Sequence, residues 1–175
     1  MTGIDNNVLN YLFEAMHTGQ IPAAAADVAE QQVTSLRLFL WTSDLVVGRV
    51  VSFEAAQARD AQRRALLHSI IASNLAECEV PEQDLQRWQV RAAALAAPHP
   101  RGLLDCLLVA EAEIVGADTL LTFDTRMINR LTRHTPVKLI APATRWRQLG
   151  IPRGTPPIWQ PASSNPLSAE PFWSW

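Results

Sequence analysis

The chain has 175 residues, a formal net charge of −2, 48% hydrophobic residues and 18% charged residues. That length supports one domain with a sizeable core, and the balance of apolar to charged residues excludes a wholly disordered chain. No run reaches about 18 uncharged apolar residues, and no basic stretch precedes an apolar one near the N-terminus, so no membrane span and no signal peptide are expected and the expected location is cytoplasmic.

Gly3 and Ile4 end a short first strand that stops at Asp5. Val8, Leu9, Leu12, Phe13 and Met16 then recur at helical spacing up to a stop at Gly19. After Pro22 a second helix is predicted over 23–41, with Val28, Leu36, Phe39 and Leu40 facing the core. Leu45, Val46 and Val47 form a second strand before Gly48, and 49–72 reads as one long helix with Glu54 in its early turns. A weaker strand over 78–80 precedes a helix over 83–97, which Pro98 and Pro100 terminate. An apolar helix over 103–115 contains Asp105 and ends at Gly116. A strand over 119–123 stops at Asp124; Met127, Ile128 and Leu131 mark a short helix, 137–140 a last strand and 143–149 a last helix. Strands alternating with helices imply an α/β fold with a parallel sheet covered on both faces.

This body, residues 1–150, is followed by a tail, residues 151–175, in which Pro152, Pro156, Pro157, Pro161, Pro166 and Pro171 alternate with Trp159, Phe172, Trp173 and Trp175. It is too short for its own core and too rich in proline for a helix. Its tryptophans are costly to leave in water, so the tail is expected to lie extended over this chain or a partner, the alternative for a proline-rich end being a disordered tail.

Several chemistries find no support. Cys78 and Cys106 stand far apart without a CxxC pair, and are expected to be reduced and structural. His17, His68, His99 and His134 have no HExxH or paired spacing, which disfavours zinc. Neither GxxxxGK[ST] nor GxGxxG occurs, which disfavours nucleotide-dependent enzymes.

What remains is a set of acids. Asp5, Asp124 and the helical Glu54 and Asp105 fall where a parallel sheet gathers groups at the carboxyl edge of its strands, the edge where open α/β folds bind ligands. A pocket of carboxylates asks for a divalent, oxygen-seeking ion. Between Thr125 and Thr155 there is no acid, while Arg126, Arg130, Arg133, Lys138, Arg145, Arg147 and Arg153 all occur. Cations beside an acidic pocket suit a phosphodiester, although a charge run also describes an ordinary solvated face. Each acid has a second reading as well: Asp5 and Asp124 are favoured helix N-caps, and Glu54 suits a solvent-facing helix position. Asp105, set among Leu103, Leu104, Leu107 and Leu108, is harder to read as surface. Glu113 is its reserve, Glu111 points elsewhere, and Asp118 belongs to the turn before the strand.

Two motifs in order carry a family resemblance. Gly3-Ile4-Asp5-Asn6-Asn7-Val8-Leu9 and DCLLVAEAEIVGADTLLTFD, from Asp105 to Asp124, resemble the two halves of a PIN-domain nuclease, and VKLIAP resembles its ending. The resemblance covers about 3–150. It implies a PIN-like parallel sheet flanked by helices and a Mg²⁺ or Mn²⁺ dependent endoribonuclease. It also implies Asp5, Asp105 and Asp124 as metal ligands, Glu54 as the further catalytic acid with Asp60 as its substitute, and Asn7 and Thr122 as supports. Arg126 and Arg130 are then candidates to hold substrate phosphate. Similarity to the VapC toxins implies a type II toxin–antitoxin pair, with RNA as substrate, an antitoxin as partner and a homodimer as assembly. The alternatives are an RNA-processing nuclease outside such a pair and an inactive binding or scaffold protein. Two departures stand out. Asn6 replaces the usual threonine, and Thr125, Arg126 and Met127 stand where the family often has another acid, so a second metal would be held less well.

Overall fold

The computed structural model describes residues 1–18, 26–98 and 102–158. The alternation folds into five parallel strands: β1 (Thr2–Ile4), β2 (Leu45–Gly48), β3 (Ala76–Cys78), β4 (Thr119–Leu121) and β5 (Lys138–Ile140). Their order across the sheet is β3-β2-β1-β4-β5. β1 and β4 are neighbours, with Ile4 beside Leu121, and every residue of both is buried. Such strands read as continuous apolar runs because helices cover both faces.

Eight α-helices accompany the sheet among the described residues: α1 (Asn6–Thr18), α2 (Ala26–Trp41), α3 (Arg49–Ala56), α4 (Ala61–Asn74), α5 (Leu85–Ala96), α6 (Leu103–Ile114), α7 (Thr125–Leu131) and α8 (Pro142–Leu149). Val8, Leu9, Leu12 and Phe13 form the buried stripe of α1, and Leu36, Phe39 and Leu40 are buried on α2. α2 packs between α1 and α8, and its Trp41 meets Trp146 edge to face at 5.8 Å between ring centroids. Thr34 and Ser35, buried on α2, return their hydroxyls to the carbonyls of Glu30 and Gln31, which removes the cost of burying them.

Several boundaries differ from the sequence expectation. The single helix over 49–72 is two helices. Asp60 accepts from the Arg63 amide at 2.6 Å and caps α4, while Arg64 donates to the Ala58 carbonyl at 2.6 Å across the break. Residues 57–64 contain no proline or glycine to mark this corner, so the sequence reading missed it, and Asp60 is a helix cap here. β3 begins at Ala76, two residues before the expected 78–80 strand. A 3₁₀ turn, Glu82–Asp84, precedes α5. β4 stops at Leu121, which leaves Thr122, Phe123 and Asp124 in the loop above it. The stop at Gly19 and the start of the helix over 23–41 lie outside the described residues.

α6 is held by α5. Trp88 donates to the Leu107 carbonyl, and Arg91 grips Glu113 with two bonds of 2.6 and 2.8 Å. Glu113 is thus a structural partner of Arg91, not a stand-in for Asp105. Burial opposes its ionisation, but Arg91 and Thr135 outweigh burial and hold the carboxyl below its ordinary value. A depressed carboxyl contributes stability above the unfolded value, about 4.3, which is lost as pH falls through the lower folded-state value. Glu113→Gln is therefore expected to cost about 1 kcal/mol at pH 7 and much less near pH 3. Urea midpoints of both proteins across that range check this, and a difference that does not change with pH would contradict it.

The first part of the tail lies along the end of α2. Trp41 donates its indole N–H to the Thr155 carbonyl at 2.8 Å, and the Ile158 amide donates to the Leu40 carbonyl at 2.7 Å. Trp159, Trp173 and Trp175 lie outside the described residues. Cys78 and Cys106 are both free thiols, as expected. Among the described residues, no helix is long and apolar enough to cross a membrane.

Candidate active site

β2 and β3 lie on one side of β1, whereas β4 and β5 lie on the other, so chain order reverses between β1 and β4. At such a reversal the connecting segments part and leave a crevice beyond the carboxyl ends of the strands. Asp5 follows the last residue of β1, and Thr122 follows the last residue of β4. The Asp5 amide donates to the Leu121 carbonyl at 2.9 Å, which ties the two strand ends together.

Thr122 links the side chain of Asp5 to the backbone of Asp124. Its hydroxyl, buried, donates to Asp5 Oδ2 at 2.7 Å and accepts from the Asp124 amide at 3.0 Å. Asn7 reaches the same Asp5 oxygen at 3.5 Å, a far weaker contact. Asp124 uses Oδ1 to cap α7, accepting from the amides of Arg126 and Met127 at 2.7 and 3.0 Å. The capping reading and the site reading of Asp124 are therefore compatible, because one oxygen caps and a carboxylate has two. Glu54 lies on α3 and Asp105 in the first turn of α6, helices that pack on each other.

The four acids influence one another electrostatically. Burial raises the Asp5 carboxyl above its ordinary value; hydrogen bonds from Thr122 and Asn6 oppose this, and the charges of Asp105 and Asp124 add to it. Burial also raises Glu54, and Asp5 and Asp105 add to the shift. Mutual repulsion of this kind is what a divalent cation relieves, and an all-oxygen donor set suits Mg²⁺ or Mn²⁺. The residues fit such an ion by chemistry and by charge. In this conformation, however, no three His, Cys, Asp or Glu side chains among the described residues stand close enough to hold one metal ion. The two observations differ in range, since charges act over distances longer than a coordination bond. Asp105 supplies a reason for the gap: its carboxylate is paired with Arg130.

That pairing was not legible in the sequence, where 25 positions separate the partners. Of the leucines around Asp105, Leu103 and Leu104 are exposed, Leu107 is half-buried and Leu108 is buried, and Asp105 itself is half-buried. Glu111, read as pointing elsewhere, does so, and is fully buried against the start of α3. Asp118 lies just ahead of β4 and receives a hydrogen bond from the amino group of Met1.

Two surfaces flank the acids. Arg126, Asn129, Arg130, Arg133 and His134 line an open basic cleft along α7. An apolar pocket of about 320 Å³ lies between α3, α5 and α6, lined by Val50, Phe53, Trp88, Leu104 and Leu107 with Arg49 at its margin. Phe53 and Leu104 immediately precede Glu54 and Asp105 in sequence, so the pocket shares α3 and α6 with two of the acids. A third cleft lies around Gln83, Arg87, Arg91 and Glu113, and none of the three is lined by Asp5, Glu54, Asp105 or Asp124.

No curated protein matches the chain. The PIN domain family matches residues 4–133, a span that begins at the end of β1, includes all four acids and stops short of β5 and α8. With a five-stranded parallel sheet and acids at its point of reversal, the chain belongs to the PIN domain family.

Proposed function

We propose that this protein is a divalent-metal-dependent endoribonuclease acting as the toxin of a type II toxin–antitoxin pair, with a small antitoxin partner and a homodimeric assembly. The observation that carries the nuclease reading is that Asp5, held by the Thr122 hydroxyl, and Asp124, whose main-chain amide bonds the same hydroxyl, stand at the reversal point of a PIN domain sheet. Asp5, Asp105 and Asp124 would hold Mg²⁺ or Mn²⁺, and the bound ion would supply charge neutralisation at the phosphoryl oxygens and acidify an attacking water. Glu54, whose carboxyl is raised by burial and then by the charges of Asp5 and Asp105, would act as the general base toward an attacking water. Thr122 holds Asp5 in position. Exposed Arg126 is suited to contact phosphate beside the cleaved bond.

The apolar pocket supports a substrate with an unpaired base next to that bond, because a duplex keeps its bases stacked inward. The Phe53 ring is 59% exposed, so its loss should cost little stability. Phe53→Ala is expected to weaken binding of a single-stranded oligonucleotide by about tenfold, the value of one aromatic–base stack. Fluorescence anisotropy in EDTA measures this, and unchanged affinity would remove Phe53 from the substrate path.

Incubation of the purified chain with defined RNAs tests the enzyme reading. Internal cleavage is expected with Mn²⁺ or Mg²⁺ and none in EDTA. Absence of cleavage with either metal would favour an inactive binding protein. Growth arrest on induction, relieved by co-expression of a small neighbouring partner, tests the toxin reading.

A further inference from the structure

Arg130 was a candidate for substrate phosphate, yet its guanidinium is engaged with Asp105, and the local backbone is shaped to receive it. Gly102, the residue before α6, has φ +113°, a conformation that side-chain-bearing residues rarely adopt. A Cβ at this position would lie 2.5 Å from Nη1 and 2.8 Å from Cζ of Arg130. The start of α6 therefore presents bare backbone to a guanidinium reaching across from the last turn of α7. The pair is only partly open to water, the side chains being 19% and 31% exposed for Arg130 and Asp105. Asp105 also bears on the other acids, since its charge contributes to the raised values of Asp5 and Glu54. One carboxylate thus faces a cation on one side and a crowd of anions on the other.

We propose that Arg130 is the built-in counter-ion of the carboxylate site and competes with the divalent cation for Asp105. The inference rests on the metal-binding part of the function proposed above. In the metal-free chain Arg130 offsets part of the repulsion among the acids and keeps Asp105 turned toward α7. Ligation draws the same carboxylate lone pairs away from the guanidinium, so the cage closes as the ion pair opens. Arg130 is a positioning residue in this scheme, acting on the metal through Asp105. Once released from Asp105 at the edge of the basic cleft, its guanidinium would meet a substrate phosphate.

Calorimetric titration of Mn²⁺ into the EDTA-treated, dialysed full chain tests the competition without reference to turnover. Arg130→Gln removes both the competing ion pair and one positive charge near the incoming cation, and is expected to bind Mn²⁺ about tenfold more tightly than wild type. Arg133→Gln makes the same charge change at an exposed position of the same cleft, and is expected to shift the affinity less than about twofold. Arg130→Lys, which keeps the charge but not the forked donor, should fall between wild type and Arg130→Gln. Should Arg130→Gln fail to fold, Arg130→Lys carries the same comparison. Unchanged or weaker Mn²⁺ binding by the Arg130 variants would overturn the proposal. So would an equal gain in Arg133→Gln, or absence of Mn²⁺ binding in all proteins. Tighter binding in Arg130→Gln with no RNA cleavage by wild type would leave this inference standing and sink the nuclease reading. Cleavage by wild type with unchanged binding in Arg130→Gln would do the reverse.

Discussion

Asp5→Asn and Asp124→Asn are each expected to lower metal-dependent cleavage by about 10³-fold or more, while both proteins remain folded. A ligated ion contributes several kcal/mol to transition-state charge stabilisation, and removing a charged ligand forfeits most of it. Folding should survive because Asn reproduces the structural bonds. It caps a helix as well as Asp, so the amides of Arg126 and Met127 keep their acceptor, and at position 5 an amide oxygen still receives the Thr122 hydroxyl. Stability adds an independent sign. Burial chiefly, then the charges of Asp105 and Asp124, raises the Asp5 carboxyl, so the folded state favours its protonated form. The resulting cost is fully present above the raised folded-state value and disappears as pH falls below about 3.9, the unfolded value. At neutral pH in EDTA, Asp5→Asn should therefore gain on the order of 1 kcal/mol over wild type, and the gain should shrink on acidification. Saturating Mn²⁺ should invert that order, because bound metal stabilises only the protein that holds it. Melting curves in EDTA and in Mn²⁺, beside the nuclease assay, read both effects. Wild-type turnover in the two variants would remove these residues from the site.

A second large effect is expected at a position without any chemistry. Glu111, 1% exposed, accepts from the amides of Arg49 at 2.7 Å and Val50 at 3.1 Å, and so caps α3 from a neighbouring helix. Burial raises its carboxyl even though these amides oppose the shift. Gly48 makes the approach possible, since a Cβ there would fall 2.3 Å from Glu111 Oε2. Its backbone has φ −83° and ψ 168°, so space and not conformation requires glycine. Gly48→Ala should push the carboxylate off both amides and destabilise the fold by about 3 kcal/mol, the scale of a buried bond pair lost with local overpacking. Glu111→Ala should cost about as much, by leaving amides without their acceptor and a void beside them. Glu111→Gln keeps one acceptor oxygen and should lose less. Urea unfolding ranks the three variants; equal stability of Gly48→Ala and wild type would mean that the carboxylate is easily displaced. Because α3 carries Glu54 and packs on the helix of Asp105, Gly48→Ala should also depress cleavage beyond what unfolding explains.

Asp5 and Asp124 were picked out in the sequence because each follows an apolar run, and a parallel sheet carries such ends to one edge; Thr122 was read as lying inside the strand before Asp124, which instead stops at Leu121. Glu54 was legible by its place after the second strand, although the helix that carries it ends at Ala56 and not near residue 72. The break depends on Asp60 and Arg64 satisfying local backbone groups, a matter of capping that apolar spacing does not report. Of the leucines that drew attention to Asp105, Leu103 and Leu104 are exposed and Leu108 is buried, and the carboxylate has a partner in Arg130.

Local pattern by itself determined the alternation of strands and helices, the parallel sense of the sheet and the edge at which the acids gather, because strand and helix periodicities act over a few residues. The two motifs, over residues 3–9 and 105–124, likewise pointed to the PIN family. Tertiary structure alone decided which charges meet. Arg130 finds Asp105, Arg91 finds Glu113, and Glu111 finds the amides after Gly48 across separations of 25, 22 and about 60 positions. Those pairings follow from how α3, α5, α6 and α7 are laid against the sheet. No short-range spacing encodes them, and electrostatic partners are selected by distance in space.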